Sequence, residues 1–416
     1  MICWEKVIIE KQTSPNSPKP FCPAIVQIKN SVRNKIVYLD NQATTPVDPL
    51  VLDAMQPYFS REYGNPHSTG HAYGWNAEAA VNASRQSVAT MIGADAREII
   101  FTSGATESCN LALRGVVGAQ EKNSANSRRK IVTTAIEHPC VLETCEDLKR
   151  NGWEVVVTGV DSDGLIDIDE LHKTVDEQTL VVSVMAVNNE IGVIQPIEEI
   201  GKICQSRGAY LHTDATQAAG KIPIDVRKWN VDLMSLSGHK MYAPKGIGVL
   251  FVRWRPPVKI KPLVTGGGQE AGLRPGTVPV AQVVGMGEAC RIAADTIDRE
   301  SQTLRKLTEK LRLKLFEMRP DAVLFGHWKK RVPGNINIGF PGFSGEDIVS
   351  LVGDEIAISA GSACSSVKVE PSHVLLALGV GAEAAQSALR ISLGRFNTES
   401  DVDKALHVLS EIITNP

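Results

Sequence analysis

Neither a surplus of one charge, nor a CxxC pair, nor a membrane-length apolar run, nor an internal repeat occurs in this chain of 416 residues. Lys and Arg number 44 against 47 Asp and Glu, for a net charge of −3, so nothing announces a nucleic-acid or membrane-surface binder. The cysteines at 3, 22, 109, 140, 145, 204, 290 and 364 keep no regular spacing. That irregularity argues against a disulfide framework or a structural zinc site, and for free thiols in a reducing compartment, the cytoplasm. The first 34 residues carry Pro15, Pro18, Pro20 and Pro23 and lack an apolar stretch with a small-residue cleavage site. They read as an unstructured extension. Basic residues exceed acids there, which leaves organellar import open, although Glu5 and Glu10 count against a transit peptide. What is present is 43% hydrophobic and 22% charged residues with 34 Gly, the composition of an ordinary soluble α/β enzyme of two to three domains.

From Lys35 onward short apolar runs alternate with helical patterns, which predicts a mainly parallel sheet with helices on both faces. Strands are expected at 36–39, 98–101, 130–134, 153–158, 180–184, 209–212, 232–235 and 248–252. The helical stretch Val280 to Met318 has acids and bases on its polar positions and connects a large domain, 58–295, to a smaller one. The smaller domain comprises 35–57 and 296–416, so it is discontinuous.

Chemistry is expected just past the strand ends, where open α/β sheets hold ligands. In Phe101-Thr102-Ser103-Gly104-Ala105-Thr106-Glu107 a strand turns through Gly into a helix whose free N–H groups suit an anion. Asp214 ends a strand that should be buried on both faces, where a carboxylate needs a cation or several donors. In Ser235-Leu236-Ser237-Gly238-His239-Lys240 a lysine beside a Gly turn can lose its proton by desolvation and attack a carbonyl to form a Schiff base. Each feature alone has a plainer explanation: a capped helix, a turn Asp, a solvated Lys. Together they are a phosphate anchor, a pyridinium partner and an aldehyde trap, the parts a pyridoxal phosphate enzyme needs.

Six motifs then occur in family order: Tyr38-Leu39-Asp40-Asn41-Gln42-Ala43-Thr44-Thr45-Pro46, Gly64-Asn65-Pro66-His67-Ser68, Thr102 to Ser108, Asn188-Asn189-Glu190-Ile191-Gly192, Ser237-Gly238-His239-Lys240 and Ser362-Ala363-Cys364. They closely resemble those of cysteine desulfurases, class V members of the fold-type I pyridoxal phosphate enzymes, and the likeness runs from about residue 36 to about 413. The resemblance implies a large domain with a seven-stranded, mainly parallel sheet between helices, and a smaller α/β domain. It implies that Lys240 holds pyridoxal 5′-phosphate, that Asp214 keeps the pyridine nitrogen protonated, that His138 stacks on the ring and shuttles a proton, and that Gln217 bonds the ring hydroxyl. Asn189 lies beside ring and substrate. Ala105, Thr106, Ser237 and His239 form a phosphate cup, completed by Thr277 from a second subunit, which makes a homodimer part of the site. No resident metal is expected.

Arg390 matches the family arginine that grips the substrate carboxylate, a task for which a planar fork of donors is suited; Arg395 reads as structural. Cys364 lies among small residues, Ser359-Ala360-Gly361-Ser362-Ala363-Cys364-Ser365-Ser366, with nothing bulky to bury it, so a reactive thiol is the reading. Cys204 and Cys290 read as buried small hydrophobes. The resemblance implies that sulfur moves from L-cysteine to Cys364, with release of L-alanine, and onward to an acceptor such as an iron–sulfur scaffold or a thiolation partner. Selenocysteine lyase or another class V activity is the first rival. A non-catalytic sulfur-relay partner is the second, and intact Lys240, Asp214, Gln217 and Cys364 oppose it.

Overall fold

Successive residues in the apolar runs go to opposite faces of a sheet, and that alternation organises the protein. The computed structural model describes residues 36–121, 128–360 and 371–414; the N-terminal extension and Cys364 lie outside the described residues. Its strands are β1 (Val37–Tyr38), β2 (Ile99–Thr102), β3 (Lys130–Thr134), β4 (Glu154–Thr158), β5 (Thr179–Ser183), β6 (Tyr210–Asp214), β7 (Leu233–Ser237), β8 (Gly248–Val252), β9 (Val323–Leu324), β10 (Asn335–Gly339), β11 (Ile356–Ala357), β12 (Ser359–Ala360) and β13 (Ala388–Ser392). Seven of them form one sheet in the order β2-β8-β7-β6-β5-β3-β4. The expected seven-stranded, mainly parallel sheet is therefore found, with one reversal: β8 runs antiparallel to both its neighbours.

Ile100, Ile131, Val181, Leu233 and Leu250 pack on one face with the helices Ala105–Gln120 and Pro139–Arg150. Their chain neighbours Phe101, Val132, Val182, Met234 and Phe251 pack on the other, against Ala72–Ile92, Ile197–Arg207 and the first half of Val280–Met318. Burial on both faces is why these runs read as continuous Ile, Val and Leu rather than as polar–apolar alternation.

The helix Val280–Met318 serves two cores. Val280 to Ala293 join the large sheet's core. Leu304, Leu307, Leu311 and Leu315, spaced three or four residues apart, face a second core with Leu39, Ile336, Phe340, Ile391 and Leu409. This second core lies on the four-stranded antiparallel sheet β12-β13-β10-β9. No helix among the described residues is long and apolar enough to cross a membrane.

Because β8 opposes both β2 and β7, those two strands point the same way, and β7 is parallel to β6. The ends of β2, β6 and β7 thus open onto one sheet edge. Gly248, at the start of β8, permits this: a Cβ there would sit 2.5 Å from the Gly104 Cα in the turn after β2.

Candidate active site

A cavity of about 710 Å³ opens at that edge. Ten of the twelve residues singled out in the sequence line it: Ala105, Thr106, His138, Asn189, Asp214, Gln217, Ser237, His239, Lys240 and Arg390. Thr277 does not line it and is exposed elsewhere on its own chain. Cys364 belongs to 361–370, outside the described residues; the described chain stops at Ala360 beside the cavity-lining Ser359 and resumes at Pro371.

At one end of the cavity the helix Ala105–Gln120 starts at Gly104 with no side-chain cap, so its first N–H groups face the opening. Ser103 N donates to Glu107 Oε2 at 2.7 Å, and Arg274 Nε donates to Glu107 Oε1 at 3.0 Å, fixing the turn. Thr106, Ser237, His239 and Lys245 surround this end. Burial lowers His239 to about 4, with the charges of Lys240, Lys245 and Lys221 acting in the same direction, so its ring is neutral at pH 7. A neutral imidazole, hydroxyls, Lys245 and a helix start suit a phosphate dianion.

Lys240 sits in the short 3₁₀ turn Gly238–Lys240 after β7, and its Nζ donates to the carbonyls of Gln42 at 2.6 Å and Ala43 at 2.7 Å. Asp214 is buried at the end of β6 and accepts from Thr216 N at 2.9 Å through Oδ1. His138 precedes the helix Pro139–Arg150, where its Nδ1 accepts from Cys140 N at 3.2 Å. Its hydrogen bond with the Cys140 thiol pushes its pKa up against burial; Cys140 and Asp214 charges add to the rise and Lys240 opposes it. Gln217 is partly committed but keeps one donor for the role the resemblance implies. Its Nε2 donates to Gln42 O at 2.9 Å and its Oε1 accepts from Lys221 Nζ at 2.7 Å, leaving one Nε2–H for a ligand.

Arg390, in the middle of β13, is held on three sides. Nη1 donates to Asn189 O at 3.0 Å, and Nη2 to Asp40 Oδ1 at 2.9 Å and Ser359 Oγ at 3.1 Å. Its buried Nε has no partner among the described residues, and neither does Thr216 Oγ1, which also lines the cavity. Buried polar atoms left unpaired point to a ligand that completes them. Arg395, in contrast, is committed to Asp48 at 2.7 Å and Glu300 at 2.8 Å. Cys204 and Cys290 are buried, as their sequence surroundings suggest.

Several contributors escaped the sequence reading. Asp40 and Ser359 fix Arg390 across 350 and 31 residues, and Lys245 lies with the phosphate-suited group. Glu190 Oε2 accepts from Ser372 Oγ at 2.5 Å, and Ser372 caps the helix His373–Ala377, the first described helix after Cys364. The acid inside Asn188-Asn189-Glu190 was the available signal, but a carboxylate beside Gly192 reads equally well as a turn residue.

The family profile described as Aminotransferase class-V matches residues 37–405. The chain is 50% identical over 381 residues to a protein of Arthroderma benhamiae named "Cysteine desulfurase, mitochondrial", covering 92% of this chain and 75% of that one. It is 47% identical to "Cysteine desulfurase IscS" of Rickettsia felis, over 90% of each. A solved structure described as a NifS-like protein superposes with a TM-score of 0.84 at 39% identity, covering 91% of this chain and 99% of that one. The chain therefore belongs to the class V aminotransferase family, within it to the cysteine desulfurases.

Proposed function

We propose that the protein is a pyridoxal-phosphate-dependent cysteine desulfurase that takes sulfur from L-cysteine, releases L-alanine and holds the sulfur as a persulfide on Cys364. The observation that carries this reading is one cavity with Lys240 and Asp214 on neighbouring strand ends, an anion-suited helix start and an Arg390 whose Nε–H awaits an acceptor. The unpaired Thr216 hydroxyl and the basic, hydroxyl-rich end suit the cofactor's pyridine side and phosphate. Ala105, Thr106, Ser237 and His239 would hold the phosphate, Asp214 the ring nitrogen, Gln217 the ring oxygen, His138 and Asn189 the ring's surroundings. When bound to Lys240, pyridoxal phosphate supplies a conjugated, electron-accepting ring.

The chain's own residues then divide the work. Arg390 fixes the substrate carboxylate and so orients the Cα–H bond. The Lys240 amine, steered by the carbonyls of Gln42 and Ala43, takes up and returns the Cα proton. His138, its basicity raised by its neighbours, receives or supplies the proton of the substrate thiol. Cys364 as a thiolate attacks the substrate sulfur: an S–S bond forms, the C–S bond breaks, and the carbon left behind gains a proton to become alanine. Protein thiol and cysteine thus yield protein persulfide and alanine, with no outside oxidant. Cys364 is five chain steps beyond Ser359 at the cavity wall, a reach of up to about 17 Å, which supports delivery of the thiol to the cavity.

Two separate apolar cores support a functional division into 58–295 and the combination of 35–57 with 296–416, although Ile36–Pro416 packs as one unit. The exposure of Thr277 away from its own cavity supports its use in the site of a second copy, hence a homodimer. The five free thiols at 109, 140, 145, 204 and 290 support a reducing compartment, the cytoplasm or an organelle of like redox poise. The sulfur acceptor on this reading is an iron–sulfur scaffold or a thiolation protein.

The test is incubation with L-cysteine followed by mass analysis of the peptide containing Cys364. A gain of one sulfur atom, with alanine released, is expected. Cys364→Ser should keep the yellow chromophore and lose both products; unchanged turnover in that variant would instead support a selenocysteine lyase or a related class V activity. Protein that stays colourless with added pyridoxal phosphate would overturn the proposal.

A further inference from the structure

Two thiols meet behind the cavity, and neither touches a reacting atom in the reaction described above. Cys109 lies in the second turn of Ala105–Gln120, the helix whose start faces the anion-suited end. Cys140 lies in the first turn of Pro139–Arg150, two residues after His138. Their Sγ atoms and a carboxylate oxygen of Asp214 all lie within 4.8 Å of one another, and neither thiol is bridged. Cys109 is fully buried, whereas Cys140 is only partly so. A disulfide needs its sulfurs about 2 Å apart, so the pair, already within 4.8 Å, has a short distance to close.

We infer that Cys109 and Cys140 form a peroxide-sensitive dithiol, oxidised reversibly to a disulfide that ties the anion-binding helix to the helix start beside His138. The two partners are chemically unequal in the way such a pair requires. The neighbouring Cys109 thiol lowers Cys140, against burial and with help from His138, which favours its thiolate. Cys109, hydrogen-bonded to that thiolate and buried, is pushed well up and keeps its proton. A low-pKa thiol, less buried than a second cysteine that can resolve it, is the arrangement of a redox sensor.

The balance runs in two steps. Cys140 thiolate attacks one peroxide oxygen, the O–O bond breaks, and hydroxide leaves as water after taking a proton, with Cys140 now a sulfenic acid. Cys109 sulfur then attacks Cys140 sulfur, the S–O bond breaks, and a second water departs with the Cys109 proton. Two electrons pass from the thiol pair to the peroxide. The other described cysteines compete poorly, because burial pushes Cys145 to about 12 and raises Cys204 and Cys290 as well. Oxidation removes the thiolate that holds the proton of His138 and adds a covalent link between two helices that border the cavity. The inference stands on the thiol geometry alone and survives if the proposed sulfur chemistry fails.

The experiment treats the cofactor-loaded protein with low equivalents of hydrogen peroxide under chelator, alkylates remaining thiols under denaturing conditions, and maps peptides without reductant. Expected are a linked peptide pair joining Cys109 to Cys140, equal loss of alkylation at the two positions, unchanged alkylation at Cys204 and Cys290, and reversal by dithiothreitol. The absorbance of the bound chromophore should shift on oxidation and return on reduction. Cys109→Ala removes both the resolving thiol and the main influence that lowers Cys140, so no linked pair should form and oxidation at Cys140 should slow. Full alkylation of Cys109 after treatment that has oxidised Cys140, or linkage of Cys140 to Cys364, would overturn the inference. The wild-type peptide map decides by itself if the variant does not fold.

Discussion

Arg390→Lys isolates the directional part of the substrate recognition proposed for Arg390, because it keeps the charge and removes the fork. In the structure Nη2 serves Asp40 and Ser359, Nη1 serves Asn189 O, and Nε is left buried without a partner. A lysine ammonium can replace the pairing with Asp40, but it cannot also present a planar pair of donors to a carboxylate. Hydrogen bonds to charged groups contribute about 1.5–3 kcal/mol, and disrupting a buried charged pair costs about 2–5 kcal/mol. Taking about 2–4 kcal/mol for the lost fork, and about 1.4 kcal/mol per decade, kcat/KM for L-cysteine should fall about 30- to 700-fold. On the proposed assignment the carboxylate contact is made in both ground and transition states, so most of the loss should appear in KM. The assay is alanine release against L-cysteine concentration, with chromophore absorbance measured in parallel to establish that the cofactor remains bound. A change in kcat/KM below about threefold, with full chromophore, would refute the carboxylate assignment.

Three further perturbations probe other parts of the molecule. Gly248→Ala drives a Cβ to 2.5 Å from Gly104 Cα, so the turn before Ala105–Gln120 must shift; weaker pyridoxal phosphate retention on dialysis is expected, and unaltered retention would contradict the role given to that close approach. Burial raises Glu137 from 4.5 to about 8, against the Met185 N–H and Thr134 hydroxyl that bond it. The folded state therefore keeps a proton that the unfolded chain releases, and the associated stability is complete below 4.5 and lost as pH rises through about 8. Urea unfolding of Glu137→Gln should decline less than wild type across that window; parallel curves would refute the raised value. Arg395→Leu leaves the buried Asp48 and the partly buried Glu300 carboxylates without their cation and should lower unfolding stability by about 3–5 kcal/mol, read from urea midpoints, while a loss under about 1 kcal/mol would mean that the pairs contribute little.

Glu190 illustrates how one acid joins distant parts of the chain. Its carboxylate receives the Ser372 hydroxyl, while its carbonyl accepts from Asn335 Nδ2 at 3.0 Å and Asn337 Nδ2 at 3.3 Å. Burial raises its pKa, opposed first by Ser372 and then by His373, Arg390 and His138. One residue therefore ties strand β10 to the helix that follows Cys364.

Local pattern was enough to anticipate the seven strands of the large sheet to within one or two residues, the full extent of Val280–Met318, and the turns carrying Asp214 and Lys240, because period, burial on two faces and strand-end position are properties of consecutive residues. Motif order pointed to the ten residues that meet in one cavity. The reversal of β8, which aligns β2 with β7, had no local mark, since an Ile/Val/Leu run reads identically in either direction. The pairing of Arg390 with Asp40, of Gly248 with Gly104, of Glu190 with Ser372 and of Cys109 with Cys140 was decided only when the sheet brought those segments together. Such contacts link positions tens to hundreds of residues apart, and their strength depends on distance, burial and the unpaired atoms left over, none of which is a property of neighbouring residues in the chain.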